Sequence, residues 1–375
     1  MVTLADVRVV TPHRVIKRGW VRLDGDQIQS VGEGDVVRNG KVISLNGAWL
    51  LPGFVDVHMH GGGGHDVSRS QGDMLAAADF HLLHGTTRAL VSLVTASVDD
   101  LCRQLGWVAD LRSDQIVGAH LEGPFLSVTR CGAQNPDHMI APDLPTLRRL
   151  IAAARGRLAT ITIAPELPNA LDLIQAAAGE GVVVAIGHSD ADYRQAMAGY
   201  DAGATLTTHL FNGMPPMHHR SPGVAGAALG SGAYCEVIND GIHVHASLVS
   251  LVAAEKGRLV LITDAIEAAG ADDGDYVVGG LAVRVQGGQA RLASTGALAG
   301  STLTMDRAVR RAVRDCGLSI AEAAAAAATN PARMLGLSGV CGSIRTGLAA
   351  DFVAMDSELN VLNVMKAGRW ISQPS

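Results

Sequence analysis

Short apolar runs rich in valine and isoleucine alternate with longer stretches rich in alanine and leucine over most of the chain. Apolar runs of about four to eight residues, each followed by a segment of helical length, are typical of parallel β-strands joined by helices. The pattern predicts strands near residues 52–57, 87–93, 116–121, 158–164, 182–187, 204–208, 234–239 and 258–263. These strands favour an α/β fold of the closed (β/α)8 TIM-barrel type over an open doubly wound sheet.

The two ends of the chain differ from this middle part. Residues 1–50 contain short strand-like runs and a hairpin signal, the Asp24-Gly25 pair, and residues 343–375 have the same character. Neither end carries enough apolar residues to form a core alone. We therefore predict that the two ends pair into one small β-sandwich domain, beside a barrel domain of residues 51–342.

The segment after the last predicted barrel strand departs from the alternating pattern. Residues 265–300 are glycine-rich and strand-like where a helix is expected, which indicates a hairpin insertion. Helices resume at 302–316 and 320–328. Pro331 predicts the end of the second helix, because the residue before a proline avoids helical geometry.

Composition narrows the class of protein. At 375 residues the chain is long enough for a barrel, which typically takes about 250, and for a smaller second domain. The net charge is -6 and the basic residues form no runs, which argues against nucleic acid or an anionic membrane surface as the main partner. Five widely spaced cysteines without a CxxC pair favour a reducing compartment. Because a signal-peptide pattern and long apolar runs are also missing, the sequence predicts a cytoplasmic protein.

Metal-ligand and acid/base side chains follow the predicted strands, and these are His58, His60, Glu122, His188, His209 and Asp264. The carboxyl ends of barrel strands form the active-site rim. Alternate residues of a strand share a face, so His58 and His60 would both point to that rim. Imidazoles with a carboxylate suit zinc, iron and related metals, and three such ligands leave a position open to water. Together they predict a metal hydrolase.

Each of these side chains also has an ordinary structural interpretation. Glu122 could be a surface carboxylate, and His188 and His209 could be buried imidazoles satisfied by the backbone. Asp264 could be a salt-bridged structural residue. The functional interpretation of Asp264 is a base that accepts a proton from activated water and returns it to a leaving group.

The motifs around these residues resemble a known family. Residues 52–60 (PGFVDVHMH) are similar to the first-strand motif of the amidohydrolase superfamily. Further motifs, in combination, resemble the N-acetylglucosamine-6-phosphate deacetylase family, and they are 120–124 (HLEGP), 187–189 (GHS), 208–214 (THLFNGM), 239–243 (NDGIH) and 298–301 (LAGS). The resemblance runs from Leu51 to Asp351.

The resemblance implies a site and a reaction. It implies Glu122, His188 and His209 as metal ligands, with His58 and His60 completing a second site, and Asp264 as the acid/base. One or two divalent ions are expected, zinc first, with Fe2+, Mn2+ or Co2+ as alternatives. The implied substrate contacts are Gln134, Asn212, Gly213, Arg220, His243 and Ala299. The implied reaction is hydrolysis of the acetamide of N-acetyl-D-glucosamine 6-phosphate to D-glucosamine 6-phosphate and acetate. In dimers of the family the residue matching Arg220 reaches the neighbouring subunit's site, so a homodimer is expected.

Two positions depart from the family pattern. Gln134 stands where the family commonly has a histidine that polarises the acetyl carbonyl. Either this activation depends on the metal, or His138 substitutes for the missing imidazole. Cys131 stands where the family often has a basic residue. We hypothesise that Cys131 lies on a mobile lid and affects substrate binding, the alternatives being a buried inert thiol and a soft extra metal ligand.

Two other functions remain open at this point. A nucleobase deaminase of the same superfamily would share the His58-x-His60 pair and Asp264, but it usually lacks the Glu122-Gly-Pro motif and would release ammonia. A non-catalytic scaffold descended from the same fold would bind no stoichiometric metal.

Overall fold

The computed structural model describes residues 1–35, 40–255 and 257–371. Its strands, numbered in chain order, are β1 (Val2–Val10), β2 (Val15–Asp24), β3 (Gln27–Glu33), β4 (Lys41–Pro52), β5 (Phe54–Asp56), β6 (Gly61–Gly62), β7 (His65–Asp66), β8 (Thr86–Val94), β9 (Ile116–Glu122), β10 (Leu158–Ile163), β11 (Val183–Ile186), β12 (Leu206–Thr207), β13 (Tyr234–Ile238), β14 (Leu259–Ile262), β15 (Gly274–Val278), β16 (Leu281–Gln286), β17 (Gln289–Leu292), β18 (Phe352–Met355), β19 (Val361–Lys366) and β20 (Arg369–Ile371). Its α-helices are α1 (Gln71–Leu83), α2 (Val98–Asp110), α3 (Leu144–Ala154), α4 (Ala170–Gly179), α5 (Tyr193–Asp201), α6 (Gly223–Ser231), α7 (Ala246–Ala254), α8 (Met305–Arg314), α9 (Ile320–Ala324) and α10 (Asn330–Met334). Within these ranges, a helix with the length and apolar character needed to cross a membrane does not occur.

Eight of the described strands form one parallel sheet in the order β5-β8-β9-β10-β11-β12-β13-β14. Beyond the ends of the first and last strands, Asp264 N donates to His58 O and His60 N donates to Ala265 O, each at 2.9 Å. These two bonds join the sheet edges. Each predicted barrel strand overlaps one strand of this sheet, and the predicted α/β fold with a (β/α)8 barrel is confirmed.

The barrel strands are apolar because helices cover their outer faces. Every residue of β8 is buried, which explains why this strand has a continuous rather than an alternating apolar pattern. The helix α2 shows how the outer layer is attached. Ser97 caps it by accepting a hydrogen bond from Asp100 N, and Leu101, Leu105 and Val108, spaced by about one turn, are buried against the barrel.

The two ends of the chain form one seven-stranded sheet in the order β20-β19-β18-β4-β1-β2-β3. The strand β18 pairs antiparallel with β4, so Phe352 lies opposite Pro52, and β1 runs parallel to β4. Leu4, Leu50 and Phe352 are buried in a core of its own. The predicted pairing of the ends is confirmed. The domain limits at 50/51 and 342/343 stay a prediction, and residues 36–39 and 372–375 of these segments lie outside the described residues.

The predicted insertion after the last barrel strand is present. It forms an antiparallel sheet of β15, β16 and β17, one strand more than the hairpin predicted for 265–300. Val278 of this sheet packs in a small apolar cluster with Val94 and Ile266 from the barrel rim. The insertion therefore covers one side of the barrel mouth.

The predicted helix end before Pro331 is wrong. A π-helical turn at Ala325–Thr329 joins α9 to α10, and Asn330 keeps helical angles, with φ -66° and ψ -51°. Pro331 lies at the start of α10, directly after this turn. We attribute the continuation to the wider π turn, which relieves the usual clash between the proline ring and the preceding turn.

Candidate active site

The barrel brings the five predicted metal ligands to one rim. His58 and His60 follow β5, Glu122 ends β9, and His188 and His209 follow β11 and β12. All five side chains are buried. Residues from strands far apart in sequence meet here because parallel barrel strands all end at the same rim.

Glu122 lies at the centre of the cluster. Its Oε1 is 3.0 Å from the Nε2 atoms of both His188 and His209, and its Oε2 is 3.2 Å from His60 Nε2. His58 Nε2 lies 3.5 Å from Glu122 Oε1. Among the described residues, Glu122 is the member shared by two donor groups, one with His58 and His60 and one with His188 and His209. A carboxylate in this position can bridge two ions.

The backbone at the strand ends is strained. His188, His209 and Asp264 have φ values of 45°, 26° and 50°, a region that residues other than glycine rarely adopt. Backbone bonds hold this geometry, including Ser189 N to Gly213 O at 3.0 Å and Asp264 N to His58 O at 2.9 Å. Such strain persists only where the surrounding fold imposes it, and it is concentrated at functional sites.

Hydrogen bonds to the second ring nitrogen orient three of the imidazoles. His58 Nδ1 lies 3.0 Å from Glu236 Oε2, His60 Nδ1 lies 2.9 Å from Ser92 O, and His188 Nδ1 lies 2.8 Å from Arg130 O. Metal-binding histidines typically make such a bond, which leaves Nε2 free for the metal. The Nε2 atoms of His58 and His60 are 3.1 Å apart, as are those of His188 and His209.

Two buried carboxylates of the site were missed by the sequence analysis. Glu236, in the middle of β13, contacts His58 and also accepts from His209 N at 3.2 Å. In the sequence, Glu236 could have been noticed as a single glutamate within an otherwise largely apolar strand. Asp56 accepts from Thr263 Oγ1 at 2.6 Å and ties β5 to the end of β14. Burial raises the pKa of Asp56 to about 6, although its hydrogen bonds oppose the shift.

Asp264 lies beside the cluster of predicted metal ligands. Its Oδ1 is 3.2 Å from His60 Nε2 and 3.5 Å from His58 Nε2. Burial favours the neutral acid, but the neighbouring imidazoles outweigh it and hold the pKa of Asp264 at about 2. The carboxylate is therefore ionised at neutral pH and can accept a proton.

A cavity of about 310 Å³ opens above the cluster. Of the predicted substrate contacts, Gln134, Asn212, Gly213 and His243 line it together with His60, Glu122 and Asp264. The side chain of Ala299 is buried in the apolar cluster of the insertion, while its neighbours Leu298 and Gly300 line the cavity.

Two predicted residues lie away from this cavity. Arg220 is exposed on a loop, where its Nη1 donates to His219 Nε2 at 2.7 Å. Cys131 is half-buried at the end of a short 3-10 turn, Val128–Arg130. Neither is among the described residues that line the cavity. The roles assigned to Arg220 and Cys131 stay predictions.

Gln134 is in direct contact with the cluster of predicted metal ligands. Its Nε2 donates to Glu122 Oε2 at 2.5 Å, and its Oε1 accepts from Thr95 N at 2.7 Å. This second bond fixes which end of the amide faces Glu122. His138, the other candidate for the missing imidazole, lines a separate groove with Asp100 and Arg103. At this position the loop therefore presents an amide to the cavity in place of an imidazole.

The donor set fits a divalent metal. Zinc–nitrogen bonds of about 2.0–2.1 Å place tetrahedral ligands roughly 3.3 Å apart, close to the Nε2 separations of 3.1 Å in both histidine pairs. Imidazoles combined with a carboxylate are the ligand types that zinc and its neighbours prefer. The barrel and this buried cluster define a class of metal-dependent hydrolases.

Comparison with known proteins identifies the family. A sequence model of the Amidohydrolase family matches residues 49–371, and the chain belongs to this family. It is similar to the N-acetylgalactosamine-6-phosphate deacetylase of Escherichia coli O157:H7, with 40% identity over 331 residues that cover 86% of this chain and 88% of that protein. It is 35% identical to the N-acetylglucosamine-6-phosphate deacetylase of Bacillus subtilis (strain 168) over 373 residues, 96% and 94% of the two chains.

A solved structure agrees with this assignment. The crystal structure of N-acetyl-D-glucosamine-6-phosphate deacetylase from Mycobacterium smegmatis superposes with a TM-score of 0.95 and 40% identity, covering 99% of this chain and 100% of that one. A mutant of the Mycobacterium smegmatis enzyme, in complex with N-acetyl-D-glucosamine-6-phosphate, matches with a TM-score of 0.94.

We expect zinc affinity to fall as the pH decreases below about 9. Burial disfavours the charged form of His60, but Asp264 and Glu122 outweigh it and raise its pKa to about 9 in the metal-free protein. A protonated imidazole must lose its proton before it binds metal, so affinity should change about tenfold per pH unit for each proton released. Competition with a chelator of known pH dependence, between pH 6 and pH 8, measures this slope. In His60→Asn the slope should be smaller by one proton, and a pH-independent wild-type affinity would contradict the expectation.

Proposed function

We propose that this chain hydrolyses the acetamide of N-acetyl-D-glucosamine 6-phosphate to D-glucosamine 6-phosphate and acetate, in amino-sugar catabolism or cell-wall amino-sugar recycling. The observation that carries the reaction type is the ionised Asp264, 3.2 Å from His60 at the edge of a buried metal-ligand cluster. The activities of the relatives support the substrate class. The cavity of about 310 Å³ has the size of a small-ligand site.

The metal would be held by Glu122, His188 and His209, with His58 and His60 for a second ion. A divalent metal supplies Lewis acidity, which polarises a carbonyl oxygen and lowers the pKa of water. We propose zinc, and Fe2+, Mn2+ or Co2+ are alternatives that suit the same imidazole and carboxylate ligands.

Asp264 then performs the proton transfers. Its carboxylate accepts the proton from the attacking water and returns it to the departing amine, which would otherwise leave as a strong base. Gln134 faces the same space with an amide, so it can donate only a neutral hydrogen bond to the acetyl oxygen. The barrel rim therefore supplies both the base and a neutral donor.

The remaining contacts align the substrate. We assign His243 and Asn212 to the sugar phosphate, because both line the cavity and His243 is itself oriented by Asp240, with Nδ1 2.7 Å from Oδ2. We propose that Arg220 meets the phosphate in the site of a second subunit, since its charged, exposed loop lies away from the cavity of its own chain. Binding energy at the phosphate then positions the amide for attack. The functional unit would be a cytoplasmic homodimer.

A second candidate substrate is the galactosamine epimer. The Escherichia coli relative, at 40% identity, is an N-acetylgalactosamine-6-phosphate deacetylase. The Bacillus subtilis relative, at 35% identity, is an N-acetylglucosamine-6-phosphate deacetylase. The two sugars differ in the orientation of one hydroxyl group. Parallel measurement of kcat/KM on both sugar phosphates distinguishes these candidates.

Acetate release tests the proposed function. We expect turnover of N-acetylglucosamine 6-phosphate, little turnover of unphosphorylated N-acetylglucosamine, and loss of activity after chelation that zinc restores. The phosphate dependence follows from remote binding energy that is used to align the amide. An enzyme that turns over neither sugar but releases ammonia from a nucleobase would be the deaminase instead.

A further inference from the structure

Loop 127–134, which connects the end of β9 to the segment before α3, rests against the metal ligand His188. Ser127 N donates to His188 O at 2.9 Å, and Arg130 O lies 2.8 Å from His188 Nδ1. A Cβ placed on Gly132 would lie 3.3 Å from His188 Cε1, so the loop backbone packs on the ring itself. The orientation of this imidazole therefore depends on the position of the loop.

Next to this contact, an ion pair adds to the bonds that Ser127 and Gln134 make between the loop and the barrel. Arg130 Nε donates to Asp190 Oδ1 at 2.8 Å, and Asp190 lies two residues beyond His188. On the barrel side, Glu166 fixes the segment that carries Asp190. The two Glu166 oxygens accept hydrogen bonds from Asp190 N at 2.6 Å and from Ser189 Oγ at 2.7 Å. The carboxylate that receives Arg130 is thus on rigid backbone.

We infer that Arg130 and Asp190 are positioning residues that hold loop 127–134 against His188 and thereby slow release of the metal. The pair acts through the Arg130 carbonyl, which occupies His188 Nδ1 and presents Nε2 to the metal. The inference deepens the proposed metal-dependent function and rests on it.

Because the Arg130–Asp190 pair is partly exposed, breaking it should affect the loop and not the stability of the whole protein. The side chains of Arg130 and Asp190 are 32% and 41% exposed, and ion pairs of this kind contribute little to global stability. Breaking the pair should therefore loosen the Arg130 part of the loop without lowering the unfolding midpoint of the metal-free protein. A merely structural role would change the midpoint and metal release together.

Zinc release and thiol reactivity test the inference. In the zinc-loaded protein, Arg130→Gln and Asp190→Asn should each accelerate zinc transfer to a chromophoric chelator about two- to fivefold, the scale of one exposed ion pair. Cys131, which lies on the loop, reports its opening through reaction with a disulfide reagent in a Cys102→Ser background, because the other free cysteines are buried. Its reaction rate should rise by a similar factor.

Three further variants give the test its controls. Asp110→Asn breaks another exposed pair, with Arg155 at 2.7 Å, and should leave zinc release unchanged. Arg130→Lys keeps the charge and should restore most of the slow release. The double variant Arg130→Gln/Asp190→Asn should be no faster than either single variant, since the two residues act as one unit.

Several outcomes would overturn the inference. Unchanged zinc release in both single variants would overturn it. Faster thiol reaction without faster zinc release would also overturn it, because the loop would then move without affecting His188. A lowered unfolding midpoint of the metal-free variants also contradicts it. If the wild type binds none of the proposed divalent metals, the proposed function fails as well. Bound zinc with unchanged release removes only the inference.

Discussion

Asp264→Asn is expected to reduce kcat by about 10² to 10⁴, the range for loss of an acid/base group, while zinc content stays at the wild-type level. The neighbouring imidazoles lower the pKa of Asp264 to about 2, so the wild-type residue is ionised at neutral pH and offers a carboxylate oxygen for a proton. Asparagine has nearly the same shape but accepts no proton. Acetate release and metal analysis on the same preparation measure the two quantities.

A matched control separates this effect from the removal of any buried charge. Asp306 is also buried and pairs with a histidine, with its Oδ1 3.2 Å from His84 Nδ1, but it lies outside the cavity lining. Asp306→Asn should therefore keep near-wild-type turnover. Near-wild-type turnover in Asp264→Asn would remove this residue from the mechanism, and loss of zinc in that variant would make it a ligand instead.

Glu122→Gln is expected to weaken zinc binding by at least about 100-fold. Loss of a residue that only orients a metal ligand costs up to about this factor, and loss of a ligand itself should cost at least as much. Turnover should therefore be abolished at ordinary zinc concentrations. Glu122 belongs to both donor groups among the described residues, so one substitution affects every proposed ion. Burial opposes ionisation of Glu122, yet His58, His188 and His209 hold its pKa well below the usual range. Glutamine keeps the shape but removes the negative charge that offsets the metal.

Glu236→Gln is the matched control for this experiment. Glu236 is equally buried, but it contacts His58 through Nδ1 rather than through the metal-facing nitrogen. Glutamine can still accept that bond, so zinc affinity should fall by about tenfold at most. Equilibrium dialysis against buffered zinc compares the two variants. A Glu122→Gln protein with wild-type affinity would exclude Glu122 as a ligand.

The sequence by itself determined the barrel and the location of the site. Strand and helix periodicities are local, so the apolar runs predicted each barrel strand before any contact was known. Because all barrel strands end at one rim, placing His58, Glu122, His188 and Asp264 at strand ends was enough to predict that they meet. The pairing of the chain ends was predicted partly from the shortage of apolar residues in each and largely from the resemblance to the family.

Only the tertiary structure decided the contacts between these elements. Glu236 reaches His58 across 178 residues of sequence, and Gln134 reaches Glu122 from a loop whose path has no local signal. The π turn before Pro331 depends on packing that overrides the usual effect of proline. Such contacts depend on strand register and on how loops pack, and both are set by the packing of the whole core. A pattern along the chain indicates only whether each residue faces the core or the solvent.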